Sequence, residues 1–177
     1  FWVWVSREWV ENIVGYLQMK KLLAIIVLGL LICTNINAAE SSGDGDSGKD
    51  KVSLYKSGKK LVLRAKKLEK KDKIEKAKKL YLKAYDKFEK AYAKDKKNAD
   101  ILNYLGYTLR KTGNLEKAET YYLKGLKLDS EHLGINEYLG ELYVQTNRIE
   151  LAKERLEVLK GCNCEEYEEL KELLEEN

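Results

Sequence analysis

NYLGYTLRKTGNLEKAETYYLKGLKLDSE, residues 103–131, and EYLGELYVQTNRIELAKERLEVLKGCNCE, residues 137–165, decide the fold once one is laid over the other. A slide of 34 residues puts Tyr104-Leu105-Gly106 on Tyr138-Leu139-Gly140, Leu109 on Tyr143, Gly113 on Asn147, Ala118 on Ala152 and Tyr122 on Leu156. In the first copy Leu102, Leu105 and Leu109 recur at helical spacing, which predicts one amphipathic helix. Leu115, Ala118, Tyr122 and Leu126 predict a second. Gly113-Asn114 stands between them, where a glycine takes the left-handed turn at little cost. Gly106 and Ala118 are small, as two closely crossing helices require. One such pair cannot bury its apolar face alone, so neighbouring pairs must stack.

A 34-residue period built from two short helices resembles the tetratricopeptide repeat, and the resemblance covers Ala99 to Lys160. It implies an all-α fold: a right-handed superhelical solenoid of antiparallel helix pairs with a C-terminal capping helix. The repeat domain is expected over residues 53–177. A degenerate first repeat takes 53–98, full repeats take 99–132 and 133–164, and the capping helix takes 165–177. In the cap, Tyr167, Leu170 and Leu174 share one face and acids fill the rest, so its polar side closes the solenoid. Upstream, the same slide puts Ala84 on Ala118, Phe88 on Tyr122 and Ala91 on Gly125. The first helix there does not match, because Lys71 and Asp72 stand where an apolar and a small residue are expected. Leu54–Glu69 is therefore read as a displaced, longer first helix and Ile74–Ala93 as the second. The chain has no proline, and Lys96, Ser130 and Cys164 occupy the inter-repeat position where the family often carries one. The layout, with a cysteine-rich turn followed by Glu-Glu-Tyr, is similar to that of small exported tetratricopeptide proteins of Gram-negative bacteria.

The N-terminal segment bears on the compartment. Met19-Lys20-Lys21 begins a positive stretch, Leu22–Ile32 is an apolar core, and Ala38-Ala39 supplies small residues. That is the plan of a cleavable secretory signal over 19–39. Its core is shorter than the ~20 residues that cross a bilayer. Residues 1–18 are read as a non-native upstream leader and 40–52 as a flexible Gly/Ser/Asp linker. The expected location is the periplasm, with an inner-membrane anchor as the alternative.

Charge is divided along the chain. Residues 49–97 carry 20 Lys/Arg against 7 Asp/Glu, and residues 98–177 carry 10 against 17. A lysine-coated helix surface, contact with anionic lipid or polymer, and head-to-tail self-association all fit this asymmetry. Nucleic acid is not expected, because lysine outnumbers arginine 28 to 5 and phosphate recognition favours arginine's bidentate fork. Cys33 would leave with the signal. Cys162 and Cys164 remain, and an internal bridge, free thiols, an intermolecular bridge and a metal site all stay open for them. No catalytic constellation, metal motif or cofactor motif is present, so the chain reads as a non-enzyme without cofactor. The leading expectation is an exported adaptor that binds a peptide or protein segment. Its rivals are an envelope-associated structural protein and a redox-sensitive partner acting through Cys162 and Cys164. The resemblance implies a groove lined by the first helix of each repeat. Its outward positions would be Asn103, Tyr107, Arg110 and Lys111, then Glu137, Glu141 and Gln145. The two-carboxylate clamp of some family members is not reproduced.

Overall fold

The protein is described here by a computed structural model covering residues 47–177. The leader, the signal segment and the start of the linker lie outside the described residues. Among those residues all regular structure is helical. The helices are α1 (Ser47–Glu69), α2 (Ile74–Lys94), α3 (Ala99–Thr112), α4 (Leu115–Leu126), α5 (Leu133–Gln145), α6 (Ile149–Leu159) and α7 (Glu165–Glu175). They pair as α1–α2, α3–α4 and α5–α6. Successive pairs stack through α2 on α3 and α4 on α5, and α7 closes the end against both α5 and α6. This is the all-α helix-pair solenoid with a terminal cap that the repeat predicts. Among the described residues no helix is long and apolar enough to cross a membrane.

The turns repeat as closely as the helices do. At the end of α3, Gly113 takes φ 93°, and the Asn114 amide donates back to the Leu109 carbonyl at 2.9 Å. One period later Asn147 takes φ 58°, and the Arg148 amide donates to the Tyr143 carbonyl at 2.7 Å. Asparagine tolerates the left-handed region better than most side chains, so it can stand in for the glycine. Helix starts repeat too. The Asn98 side chain accepts from the Ile101 amide at 3.1 Å. The residue one period on, His132, accepts through Nδ1 from the Ile135 amide at 3.2 Å. Each satisfies one of the unpaired donors that every helix start exposes.

Small residues mark where the helices cross. A Cβ at Gly106 would lie 2.4 Å from the Tyr122 ring, and one at Gly140 would lie 2.4 Å from Leu170 on α7. In the first pair the same part is played by Gly58, whose Cβ would meet the Phe88 ring at 2.6 Å. Gly58 precedes its aromatic by thirty residues, against sixteen for Gly106 and Tyr122. The first hairpin is thus longer by fourteen residues, about two extra turns on each helix. That is why no small residue was found at Asp72: the crossing point lies further from the turn.

The lengthened hairpin also corrects the linker boundary. Helix α1 begins at Ser47, so residues 47–52 are helical rather than linker. Two crossed ion pairs fasten this start to the end of α2, Lys51 to Asp95 at 3.0 Å and Lys94 to Asp50 at 3.2 Å. The core runs through the stack. Val62, Ala65, Tyr81, Phe88, Leu102 and Leu105 pack in its first part, and Ala118, Tyr122, Ile135, Leu139 and Leu142 in its second. Tyr81, Phe88 and Tyr122 are fully buried, and Phe88 contributes roughly 1.5–3 kcal/mol by leaving water.

Candidate functional site: the first-helix face

Helices α1, α3 and α5 present a common face, and α7 extends it. Two groups of aromatic rings form its floor, each reaching back to a buried ring of α2. Tyr55 meets Tyr104 edge-on at 5.7 Å, Phe88 stacks on Tyr104 at 4.9 Å, Tyr81 meets Tyr107 at 5.8 Å, and Tyr107 meets Tyr138 at 4.8 Å. Tyr55, Tyr104 and Tyr138 are half-buried and leave ring area accessible. Two lysines of α1 lie over this floor. Lys59 stands 5.4 Å from the Tyr55 ring and 5.7 Å from Tyr104, and Lys66 stands 5.2 Å from Tyr107 and 5.9 Å from Tyr138. An ammonium at such distances is drawn to the ring's negative face.

The positions expected to point outward lie deeper than that. Asn103 is 7% exposed, Tyr107 4% and Glu137 3%. Arg110 is tied to Glu141, Nη2 to Oε2, at 2.7 Å. Lys111 is tied to Glu69 at 2.9 Å, and Glu69 also accepts from the Tyr81 hydroxyl at 2.7 Å. Of the set, Gln145 is exposed. The correction has a physical cause. Lys66 of α1 lies over Tyr107 and Glu69 of α1 ties Lys111 on one side, and on the other α7 docks on α5 by setting Leu170 into the hollow of Gly140. Residues that an open solenoid would present to solvent are enclosed between them. The structure therefore brings Tyr107, Arg110, Glu137 and Glu141 together, while Asn103 faces Gly134.

Burial without partners sets the electrostatics. Asn103 Oδ1, Arg110 Nε, the Tyr122 hydroxyl and Glu137 Oε1 are enclosed and make no hydrogen bond. Arg110 and Tyr122 are close enough to feel each other's charge without reaching bonding geometry. Burial pushes the Glu137 carboxyl up to about 10, helped by Glu169 and by the negative fields of Glu141 and Glu166. At neutral pH Glu137 is therefore protonated. The same burial raises the phenols of Tyr55, Tyr107 and Tyr138, so the floor is uncharged.

Sequence reasoning named Tyr107 but passed over Tyr104 and Tyr138. Both were legible as the tyrosine that follows Asn103 and Glu137 in the two copies. The roles of Lys66, Glu69 and Glu169 were not legible, since they act across helices that the repeat does not relate. Cys162 and Cys164 face each other over the turn before α7, their Cα atoms 5.2 Å apart and their sulfurs at bonding distance.

With this geometry in place, the likenesses to known proteins fall on the fold. Residues 87–120 match the tetratricopeptide repeat family model. No curated protein sequence matches the chain. Among solved structures, the Arabidopsis OM64 TPR domain is 13% identical, with a TM-score of 0.51 over 70% of this chain and 98% of that one. The first TPR of Spaghetti (RPAP3), bound to the HSP90 peptide SRMEEVD, is 19% identical, with a TM-score of 0.49 over 68% of this chain and 93% of that one. The Yersinia enterocolitica type III secretion translocator chaperone SycD is 19% identical, with a TM-score of 0.46 over 68% of this chain and 91% of that one. The likeness to the Arabidopsis domain is one of fold.

Proposed function

We propose that this tetratricopeptide-type solenoid is a non-catalytic adaptor, exported to the periplasm, that takes an extended peptide or protein segment along its first-helix face. One observation carries the reading. Two groups of tyrosine rings line the face, Tyr55 with Tyr104 and Tyr107 with Tyr138, with Lys59 over the first, Lys66 over the second and the carboxyl groups of Glu137 and Glu141 beside Tyr138. Rigid aromatic rings suit an extended ligand, because they offer contact area with little side-chain entropy to lose. Export rests on the signal-like segment over 19–39, and a disulfide between Cys162 and Cys164 fits an oxidising compartment.

A second reading has its own observation. Lys70, Lys71, Lys73 and Lys76 are all exposed at the α1–α2 turn, a cluster suited to an anionic surface. The two readings separate in one experiment. A random peptide library is panned on the purified protein, and the best binder is titrated into three proteins: wild type, Tyr138→Ser, and a variant with Lys70, Lys73 and Lys76 changed to Gln. The adaptor reading expects Tyr138→Ser to weaken binding about tenfold or more and the lysine variant to bind as wild type. Loss in the lysine variant alone, or collapse of binding in 0.5 M salt, overturns it in favour of charge-driven surface contact.

A further inference from the structure

The end of the floor where α5 meets α7 differs from the rest of the face. Glu137 and Glu141 come from α5, and Glu166 and Glu169 from α7, and they converge on one region. Beside it Glu141, Glu169, Glu172, Leu173 and Glu176 line a cleft of about 300 Å³. Acidic clusters on helix surfaces are common and by themselves say nothing. Here one member is enclosed. Glu137 is 3% exposed, its Oε1 has no hydrogen-bond partner, and its carboxyl points to Glu169, itself exposed. A buried carboxylate oxygen without a donor is uncommon, because folding removes water from it and returns nothing. The cluster already accepts one guanidinium, since Arg110 of α3 bonds Glu141 at 2.7 Å. Among the described residues Glu137, Glu166 and Glu169 have no ion pair of their own, and of these Glu137 is the buried one.

We propose that this end of the face is a receptor for a cationic side chain, an arginine or lysine carried by the bound segment, whose head group enters between α5 and α7 and pairs with Glu137 and Glu169. The inference rests on the groove reading above and specifies its ligand. A planar guanidinium has two parallel donors for a carboxylate and three more to share with its neighbours. Among the described residues no group of three or more acidic, histidine or cysteine side chains is arranged to hold a metal ion. The donor set therefore suits an organic cation. Aromatic rings adjoin it, with Tyr138 beside Glu137 in the chain and packed on Tyr107. The segment that fits best presents a basic residue flanked by residues able to lie on tyrosine.

The groups around Glu137 set how binding responds to pH. From α5 these are Tyr138 and Glu141, and from α7 Glu166 and Glu169. Arg110 of α3 is engaged by Glu141, Tyr122 of α4 lies close to that pair, and Lys66 of α1 stands over the Tyr138 ring at 5.9 Å. Helix α6 reaches α5 through Arg155, which donates to Asn136 rather than to Glu137. In the free protein Glu137 holds a proton, and an incoming cation replaces it. Binding then releases a proton and strengthens as pH rises.

The test uses a random peptide library panned on the full chain and on Glu137→Gln, a change that keeps the shape and removes the charge. Wild type is expected to enrich peptides with Arg or Lys at one fixed position, and Glu137→Gln is expected to lose that preference. The best arginine peptide free of Asp, Glu, His, Cys, Lys and Tyr, acetylated and amidated so that nothing on it titrates in the range used, is then compared with its citrulline analogue by calorimetry. Citrulline should weaken binding to wild type about tenfold or more and leave binding to Glu137→Gln within about twofold. Wild-type affinity should climb with pH by up to about tenfold per unit, and the Glu137→Gln profile should be flatter. Enriched peptides without a fixed cation, or an equal citrulline effect in both proteins, overturn the inference and leave the groove standing. No enrichment on wild type overturns both.

Discussion

Glu137 shows at the scale of one residue how a side chain can be placed correctly on a helix and still be misread. The 34-residue register put it on the first helix of its repeat, at the position of Asn103. It did not say that α7 would cover it. Because its carboxyl is pushed from 4.5 to about 10 by burial, the folded chain holds a proton there that the unfolded chain gives up. The folded state therefore binds more protons than the unfolded one between those values, and stability must fall as pH rises across the window. Melting temperature should drop from pH 5 to pH 9 in wild type, and Glu137→Gln should flatten the slope. A wild-type curve that rises over that range would contradict the burial of Glu137. Gly106 is the opposite case, legible at once as a small residue and confirmed by its contact. Gly106→Leu would drive a side chain into the Tyr122 ring, an overpacking cost of roughly 1–3 kcal/mol or more. Lys76→Gln, exposed on α2, should shift stability by less than about 0.5 kcal/mol. Denaturant titration of the two variants checks both.

The helices themselves were the most legible level, since apolar spacing and turn residues recur with the period. Two elements were not. Helix α1 carries its crossing glycine at Gly58, well ahead of where a regular repeat would have it, so a slide of fixed length could not find it. Its start is held by Lys51–Asp95 and Lys94–Asp50, and charged pairs leave no apolar periodicity to read. The cap α7 was read from its apolar face, but its effect on α5 depends on depth. Leu170 is fully buried and fills the space over Gly140. Leu170→Ala should cost roughly 2–5 kcal/mol. It should also loosen α7 enough to expose Glu137, returning its carboxyl toward the ordinary range. Carboxyl titration followed by NMR would show both changes together; a destabilised variant with Glu137 still titrating near 10 would separate the cap from the acid.

Over the whole described unit, two tyrosine surfaces are available, and the account assigns function to one. The first-helix face carries Tyr55, Tyr104 and Tyr138, with Lys59 and Lys66 over its rings and Glu137 and Glu141 beside Tyr138. The second-helix face of α2 and α4 carries Tyr85, Tyr92 and Tyr121, where Lys117 donates to the Tyr85 hydroxyl at 2.7 Å and Tyr92 meets Tyr121 at 6.3 Å. That second surface spends its polar groups within the protein, whereas the first leaves Asn103 Oδ1 and Glu137 Oε1 without partners. The division of charge along the chain was plain in the sequence. That lysines of α1 come to lie over tyrosines of α3 and α5, next to the acids of α5, emerges from how the pairs stack. The most direct measurement is an amide and side-chain chemical-shift map of the protein titrated with its best library peptide. The account predicts shifts centred on Tyr55, Tyr104, Tyr138, Glu137 and Glu141, with Tyr85, Tyr92 and Tyr121 unmoved. Shifts centred on Tyr85, Tyr92 and Tyr121, or spread over the lysines of the α1–α2 turn, would contradict it.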